Sequence, residues 1–268
     1  MKTVISVDLM RRSDEHTILN YTDSKKLMYK AGVGVYESYS WQGKTAIVCG
    51  SGNNAGDGYV LALLLKEHGL ESTLFILKDK FSDDGLYYFH KCVDAGIEYQ
   101  YCCEDTGFDG YSQIADCIFG TGFKGSVKGL AADIIDRINA SDAKVISVDI
   151  NSGLNGDSGL GDKCVVSDLT VSIGYLKTGF YLGNARDKIK KIVNCDIGIE
   201  LVEDGYTLVE KEDAFDECSL KKPIECVEYP KGGTPVDELI DIALEKGTFV
   251  KSKNVLTDGI STYIFDAR

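Results

Sequence analysis

Short, nearly continuous apolar runs alternate along this chain with stretches in which apolar residues recur every three or four positions. The runs at residues 44–49, 72–77, 97–101, 114–119, 144–150, 165–173 and 191–197 read as strands. Helical periodicity fills residues 57–68, 83–95 and 130–139 between them. Ahead of the first strand, the segment from Leu9 to Ser40 reads as two helices. Ser13 precedes the first, and Ser24 caps a second that contains Leu27, Met28, Ala31 and Val35. Strands that are apolar on both faces and alternate with helices predict an α/β fold. Its mostly parallel sheet should be covered on both sides, in three αβα layers.

In such a sheet, ligands bind beyond the carboxyl ends of the strands, and three loops stand there. The first runs from Cys49 to Gly58 and reads Cys-Gly-Ser-Gly-Asn-Asn-Ala-Gly-Asp-Gly. Its glycines permit a tight turn, and the helix start behind it offers unpaired N–H groups to an anion. A cradle for phosphate alone has no need of Asn53, Asn54 and Asp57, so a cation or a polar ring is expected there as well. The second loop, Gly120-Thr121-Gly122-Phe123-Lys124-Gly125-Ser126, follows Asp116, a carboxylate inside an apolar strand that must be paired or coordinated. The third reads Asp149-Ile150-Asn151-Ser152-Gly153. Taken singly, each could be a tight turn or a helix cap. Together they should line one crevice.

Composition narrows the chemistry. A net charge of −13 over 268 residues argues against nucleic acid, which needs clustered Lys and Arg. It leaves room for a dinucleotide whose pyrophosphate is held by backbone amides. No signal-peptide core and no run of membrane-spanning length is present, so a cytoplasmic protein that does not enter membranes is expected. The nine cysteines contain no Cys-x-x-Cys pair and mostly sit in apolar runs, as small buried hydrophobes do, with Cys49 bordering the first loop. His16, His68 and His90 lie outside the loops, so acid–base chemistry falls to carboxylates. The trio Gly43-Lys44-Thr45 precedes its strand and is no P-loop, and no Gly-x-Ser-x-Gly elbow exists.

The three loops together resemble the NAD(P)HX epimerase family, of the YjeF N-terminal domain type. Its Gly-x-Gly-Asn-Asn-Gly-Gly-Asp-Gly turn corresponds to Gly50 through Gly58, with Ala55 replacing one glycine. Its Asp-x-x-Phe-Gly-x-Gly-Phe-x-Gly motif corresponds to Asp116 through Gly125. Its Val-Asp-Ile-Pro-Ser-Gly motif corresponds to Val148 through Gly153, with Asn151 in place of proline. The segment Met28-Tyr29-Lys30-Ala31-Gly32 is similar in part to the family's N-terminal Met-Glu-Asn-Ala-Gly.

The resemblance implies a Rossmann-like isomerase that interconverts the R and S forms of NADHX and NADPHX, the hydrated reduced cofactors, at carbon 6 of the nicotinamide ring. It implies that Asn53, Asn54, Ala55, Gly56, Asp57, Gly120, Thr121, Gly122, Phe123, Lys124, Gly125, Ser126 and Asp149 hold the substrate. Asn54, Asp116 and Ser152 would bind a potassium ion. Asp149 is expected to act as general acid–base, with Lys124 holding a phosphate or tuning Asp149 by its charge. Asp149→Asn should then keep fold and affinity and lose turnover. The expected partners are the substrate, a second copy of the chain in a homodimer, and a separate dehydratase.

The resemblance runs from about Val7 to Glu200, within an expected domain of residues 1–200. Residues 201–268 form an acidic extension holding all three prolines, Pro223, Pro230 and Pro235. A helix is expected over residues 236–245 and a strand over 262–265. The extension is too short for the dehydratase domain of bifunctional relatives. The alternative reading is a non-catalytic nucleotide-binding or scaffold protein built on the same domain, which loss of the acidic loop residues would favour. Asp57, Asp116 and Asp149 are all present.

Overall fold

The computed structural model describes residues 2–220, 222–227 and 236–266. Pro230 and Pro235 lie outside the described residues. In chain order, strand β1 (Lys2–Ile5) leads into helices α1 (Val7–Asn20) and α2 (Ser24–Glu37). Then follow β2 (Thr45–Cys49), α3 (Asn53–Glu67), β3 (Ser72–Ile76), α4 (Asp83–Asp94), β4 (Glu98–Tyr101) and β5 (Gln113–Cys117). After α5 (Leu130–Ala140) come β6 (Lys144–Val148), β7 (Leu169–Ile173), the two-residue β8 (Leu176–Lys177) and β9 (Ile192–Cys195). The remainder holds β10 (Tyr206–Val209), β11 (Ile224–Cys226), α6 (Val236–Lys246), β12 (Phe249–Ser252), β13 (Val255–Thr257) and β14 (Thr262–Phe265).

Seven strands form a wholly parallel sheet in the order β4-β3-β2-β5-β6-β7-β9, as the alternation of apolar runs and helices requires. Alternate residues serve opposite faces. Ile47, Cys49, Leu74 and Ile76 pack under α1–α4, while Ala46, Val48 and Phe75 pack with Ile134, Ile135 and Ile138 of α5. Helix α3 is apolar nearly all round and fully buries Tyr59, Val60, Leu61 and Leu65. At roughly 1.5–3 kcal/mol for each large apolar side chain, this burial fixes α3 and whatever its first turn carries. Among the described residues, no helix is long and apolar enough to cross a membrane.

Three boundaries differ from the sequence reading. Ser6 caps α1 by accepting from Leu9 N, so Ser13 lies inside the helix, buried, and Asp23 takes the capping place given to Ser24 by accepting from Lys26 N. Helix α3 starts at Asn53, four residues early, because the glycine-rich stretch that reads as a turn is packed on α2: a Cβ on Gly56 would lie 2.3 Å from Met28 Sδ. Propensity yields there to tertiary contact.

The larger difference is a second seven-stranded sheet, β11-β12-β13-β14-β10-β1-β8, of which only β14 was expected. Strand β1 lies between β10, antiparallel, and β8, parallel. Residues 201–268 therefore supply most of a layer that includes the first and middle parts of the chain. Its core joins Val4, Leu176, Leu208, Leu239, Val250 and Ile264 to Ile150 and Leu154 from the loop after β6.

Candidate active site

The three loops do meet. Ser51, Gly52, Asn53, Asn54 and Asp57 from the first, Gly120, Thr121, Gly122 and Phe123 from the second, and Asp149 from the third line one cavity of about 680 Å³. Helices α1 and α2 complete the lining, with Val7, Met10, Arg11, Asp14, Ile18, Leu27 and Met28.

Helix α3 points its N-terminus at this space. Its cap, Gly52, makes no side-chain capping bond, so the first-turn N–H groups stand ready for an anion. Asn54 is 7% exposed, and neither its Oδ1 nor its Nδ2 has a hydrogen-bond partner. A buried amide left so costs stability unless a ligand completes it. Phe119 and Phe123 stack with centroids 4.5 Å apart and give the wall a flat apolar patch suited to a ring.

Asp149 ends β6 with φ of 64°, in a three-residue turn closed by Ile150 N donating to Val148 O at 2.8 Å. A non-glycine residue so placed is held at a cost of order 1–3 kcal/mol, and such residues cluster at functional sites. The turn brings Oδ1 to 2.7 Å from Lys177 Nζ and lets Oδ2 accept from Thr121 N at 3.0 Å. A Cβ on Gly120 would come within 2.9 Å of that Oδ2, so the close approach needs glycine. Burial alone would raise the Asp149 pKa, but the charge and hydrogen bond of Lys177 outweigh it, and the carboxyl stays below its ordinary value.

Lys177 is fully buried and spends all three protons, on Asp149, on Ser172 Oγ at 3.2 Å and on the carbonyl of Ile173 at 2.7 Å. This is the cation that tunes Asp149, where Lys124 had been expected. Lys124 is exposed on its glycine-flanked loop and outside the cavity, where its charge acts on Asp157. The clue to Lys177 was a lysine directly after the apolar pair Tyr175-Leu176, too short a run to register as a strand. Asp14 was also missed. It lies on α1 beside the buried Met10, Ser13 and Thr17, an acid on the inner face of an amphipathic helix.

Asp57 and Asp14 both carry raised pKa values. Burial is the main cause for each, and the negative charge of Asp149 adds to it. Asp57 is pushed well up, and Asp14 to about 6. Asp116 is wholly buried and satisfied behind the cavity wall. It accepts from Ser147 Oγ at 2.8 Å, Ser152 N at 2.9 Å, Ser152 Oγ and Ile118 N. Ser152 Oγ in turn accepts from Phe119 N at 2.8 Å. Burial raises the Asp116 pKa, and no cation among the described residues offsets its charge.

Among the expected binding residues, Ala55 and Gly56 are buried in α3 away from the cavity, and Gly125 and Ser126 are exposed beyond it. Asn151 is fully buried. It donates to Val165 O, Ser167 Oγ and Lys188 O and accepts from Thr170 Oγ1, tying the Asp149 loop to β7.

The family model described as YjeF-related protein N-terminus matches residues 24–179. The NAD(P)H-hydrate epimerase of Lentilactobacillus buchneri is 34% identical over 208 residues, 74% of this chain and 96% of that protein. The bifunctional NAD(P)H-hydrate repair enzyme Nnr of Archaeoglobus fulgidus is 34% identical over 177 residues, which is 65% of this chain and 37% of the longer protein. A crystal structure of the yeast protein YNL200c superposes with a TM-score of 0.62 over 70% of this chain and 87% of its own, at 20% identity, and so shares the fold.

Proposed function

The chain belongs to the YjeF-related protein N-terminus family, and from that premise we propose that it is an NAD(P)H-hydrate epimerase. It interconverts the R and S forms of NADHX and NADPHX at carbon 6 of the nicotinamide ring. The observation that carries this reading is the convergence, in one cavity, of an anion-ready helix start, the orphaned Asn54 amide and the Asp149–Lys177 pair. Carbon 6 of the substrate carries both a hydroxyl and the ring nitrogen. The nitrogen lone pair expels the hydroxyl, or opens the ring, once a carboxyl group moves the proton. Return of the oxygen to the other face inverts the centre, with no net redox change. Asp149, kept ionised by Lys177, is the base. Phe119 and Phe123 hold the ring, and the start of α3 takes the pyrophosphate. Lys124, on the exposed loop, is left for a phosphate.

Potassium would be held by the unpartnered amide oxygen of Asn54, with the Asp116 carboxylate and the Ser152 hydroxyl, now bonded to each other, as further oxygen donors of the kind a hard monovalent cation takes. When bound, it supplies positive potential near the substrate phosphates and completes the Asn54 side chain. A melting temperature higher in potassium than in lithium at matched ionic strength supports the assignment. Equal values refute it.

The protein works beside a separate dehydratase that restores the S form to NAD(P)H, in the cytoplasm and as a homodimer. The deciding experiment follows purified R epimer by chromatography, against a blank for its spontaneous inversion. Rapid approach to the epimer equilibrium is expected. A rate equal to the blank sinks the reading.

A further inference from the structure

Asp14, Glu15, Asp57, Asp84 and Asp149 line the cavity together with Arg11, and the buried Lys177 stands behind Asp149. Every proton of Lys177 is committed, and only Asp149 among the acids receives one. Asp14 and Asp57 make no hydrogen bond to any described residue, yet each lies near enough to Asp149 and Lys177 to feel both charges. Of these acids, Asp14 and Asp57 are pushed toward the protonated form, by burial first and by the charge of Asp149 beside them. The unpartnered, 93%-buried side chain of Asn54, a residue 7% exposed, marks the same space as a ligand site.

Asp14 and Asp149 reach that space from different elements, Asp149 from the loop after β6 and Asp14 from α1. Inversion through an iminium sends water off one face of the ring and brings it in on the other, and a single carboxyl reaches one face. Asp57 stands on α3, three residues after Asn54. Burial, with the charge of Asp149 beside it, raises its pKa, which suits it to donate a hydrogen bond to substrate.

We propose that Asp14 is a second catalytic residue of this site, the acid that protonates the leaving hydroxyl while Asp149 receives the proton of the incoming water. The proposal rests on the epimerase reading. In the step, the carbon 6–oxygen bond breaks with its electron pair on oxygen, and the Asp14 proton converts that oxygen to water. The nitrogen lone pair forms the carbon–nitrogen double bond of an iminium. A water molecule then attacks the opposite face. The iminium electron pair returns to nitrogen, a new carbon–oxygen bond forms, and the surplus proton passes to Asp149. Exchange with solvent through the open cavity returns the proton to Asp14.

The charges around Asp14 suit the task. Asp149 from β6, Asp57 from α3 and Glu15 on its own helix are acidic, and Lys177 from β8 opposes them. Arg11 is engaged by Asp8 and Glu15. With its pKa raised to about 6, mainly by burial, Asp14 both gives and regains a proton in the neutral range.

The test starts with wild-type protein and NADHX. Its kcat should be level below pH 6 and fall above it, as the acid form of Asp14 is lost. A wild-type rate equal to the spontaneous one overturns the epimerase reading and this proposal together. A wild-type rate that is fast but flat from pH 5 to 8 overturns this proposal alone. Asp14→Asn should lower kcat by about a hundredfold, change KM less than about threefold and abolish the decline above pH 6. Asp14→Glu should recover part of the rate together with the decline. An Asp14→Asn enzyme within about threefold of wild type, or one that keeps the decline, overturns the assignment. In water labelled with oxygen-18, inverted product should carry one label at carbon 6. Unlabelled product means ring opening and overturns the step.

Discussion

Asp149 combines a strained backbone with a carboxyl tied on both oxygens, one to Lys177 and one to Thr121 N. On sequence grounds, Asp149→Asn should leave the fold untouched, but the buried lysine changes that expectation. The variant should slow epimer equilibration by at least about a hundredfold. It should also lose roughly 3 kcal/mol in urea denaturation, the low end for breaking a buried ion pair, because the amide oxygen still accepts from Lys177. A variant with wild-type turnover would make Asp149 a binding group only. Asp14 carries the opposite sign. Its unfolded pKa is near 3.8 and its folded value about 6, so folding takes up a proton between them. That contribution to stability is complete below pH 4 and is lost as pH rises through 6. Asp14→Asn removes the loss. Its melting temperature should exceed that of wild type at pH 8, with the gap closing toward pH 4, and a constant gap would refute the raised pKa. The three loop motifs made Asp149, Asn54 and Asp57 legible in the sequence. Lys177 and Asp14 were not, because a charge on a buried surface looks like any other charge until its neighbours are known.

Among the elements, α2 and α3 cross so closely that a Cβ on Gly32 would lie 2.4 Å from Val60 Cβ and 3.2 Å from the carbonyl of Asp57. Gly32→Ala gains up to about 1 kcal/mol in helix propensity but overpacks a rigid β-branched neighbour, which typically costs about 1–3 kcal/mol. The net effect in urea denaturation should be a loss, with reduced activity because Asp57 moves with α3. Gly56→Ala points instead at the flexible end of Met28, 2.3 Å from its Sδ, and should be tolerated better. Equal losses in the two variants would contradict this account of the crossing. The parallel sheet was readable because burial on both faces leaves continuous apolar runs. The early start of α3 was hidden, since asparagine and glycine mark turns unless packing overrules them. Asn151, the departure from the family's proline, is explained by its five side-chain hydrogen bonds to residues 165–188, which anchor the loop by contacts proline cannot make.

At the scale of the whole molecule, residues 201–268 are part of the frame and no simple appendage. Strands β10 to β14 were missed, β14 excepted, because each is short and the one that ties them to the rest of the sheet, β10, pairs with the four-residue β1 at the far end of the sequence. Removing residues 201–268 uncovers Val4 and strips β1 of its β10 neighbour, with Lys2 opposite Leu208 and Val4 opposite Tyr206. It also removes the contact of Arg12 with Glu203 and of Ser13 Oγ with Val202 N. The truncated chain should keep protected amides in β2, β5 and β6, lose protection across residues 2–20, and be inactive. Hydrogen exchange checks this, and unchanged protection in α1 would show that α1 holds its place unaided. The β1–β10 pairing also has a consequence in time. Lys2 and Leu208 lie about two hundred residues apart, and ribosomes add roughly 5–20 residues each second. Strand β1 therefore waits on the order of ten to forty seconds for its partner. The nascent parallel sheet can close in that interval, but α1 cannot settle over the cavity until β10 has been made. A partly made chain is thus inert toward its substrate, and its exposed N-terminal segment is the part that most needs a chaperone.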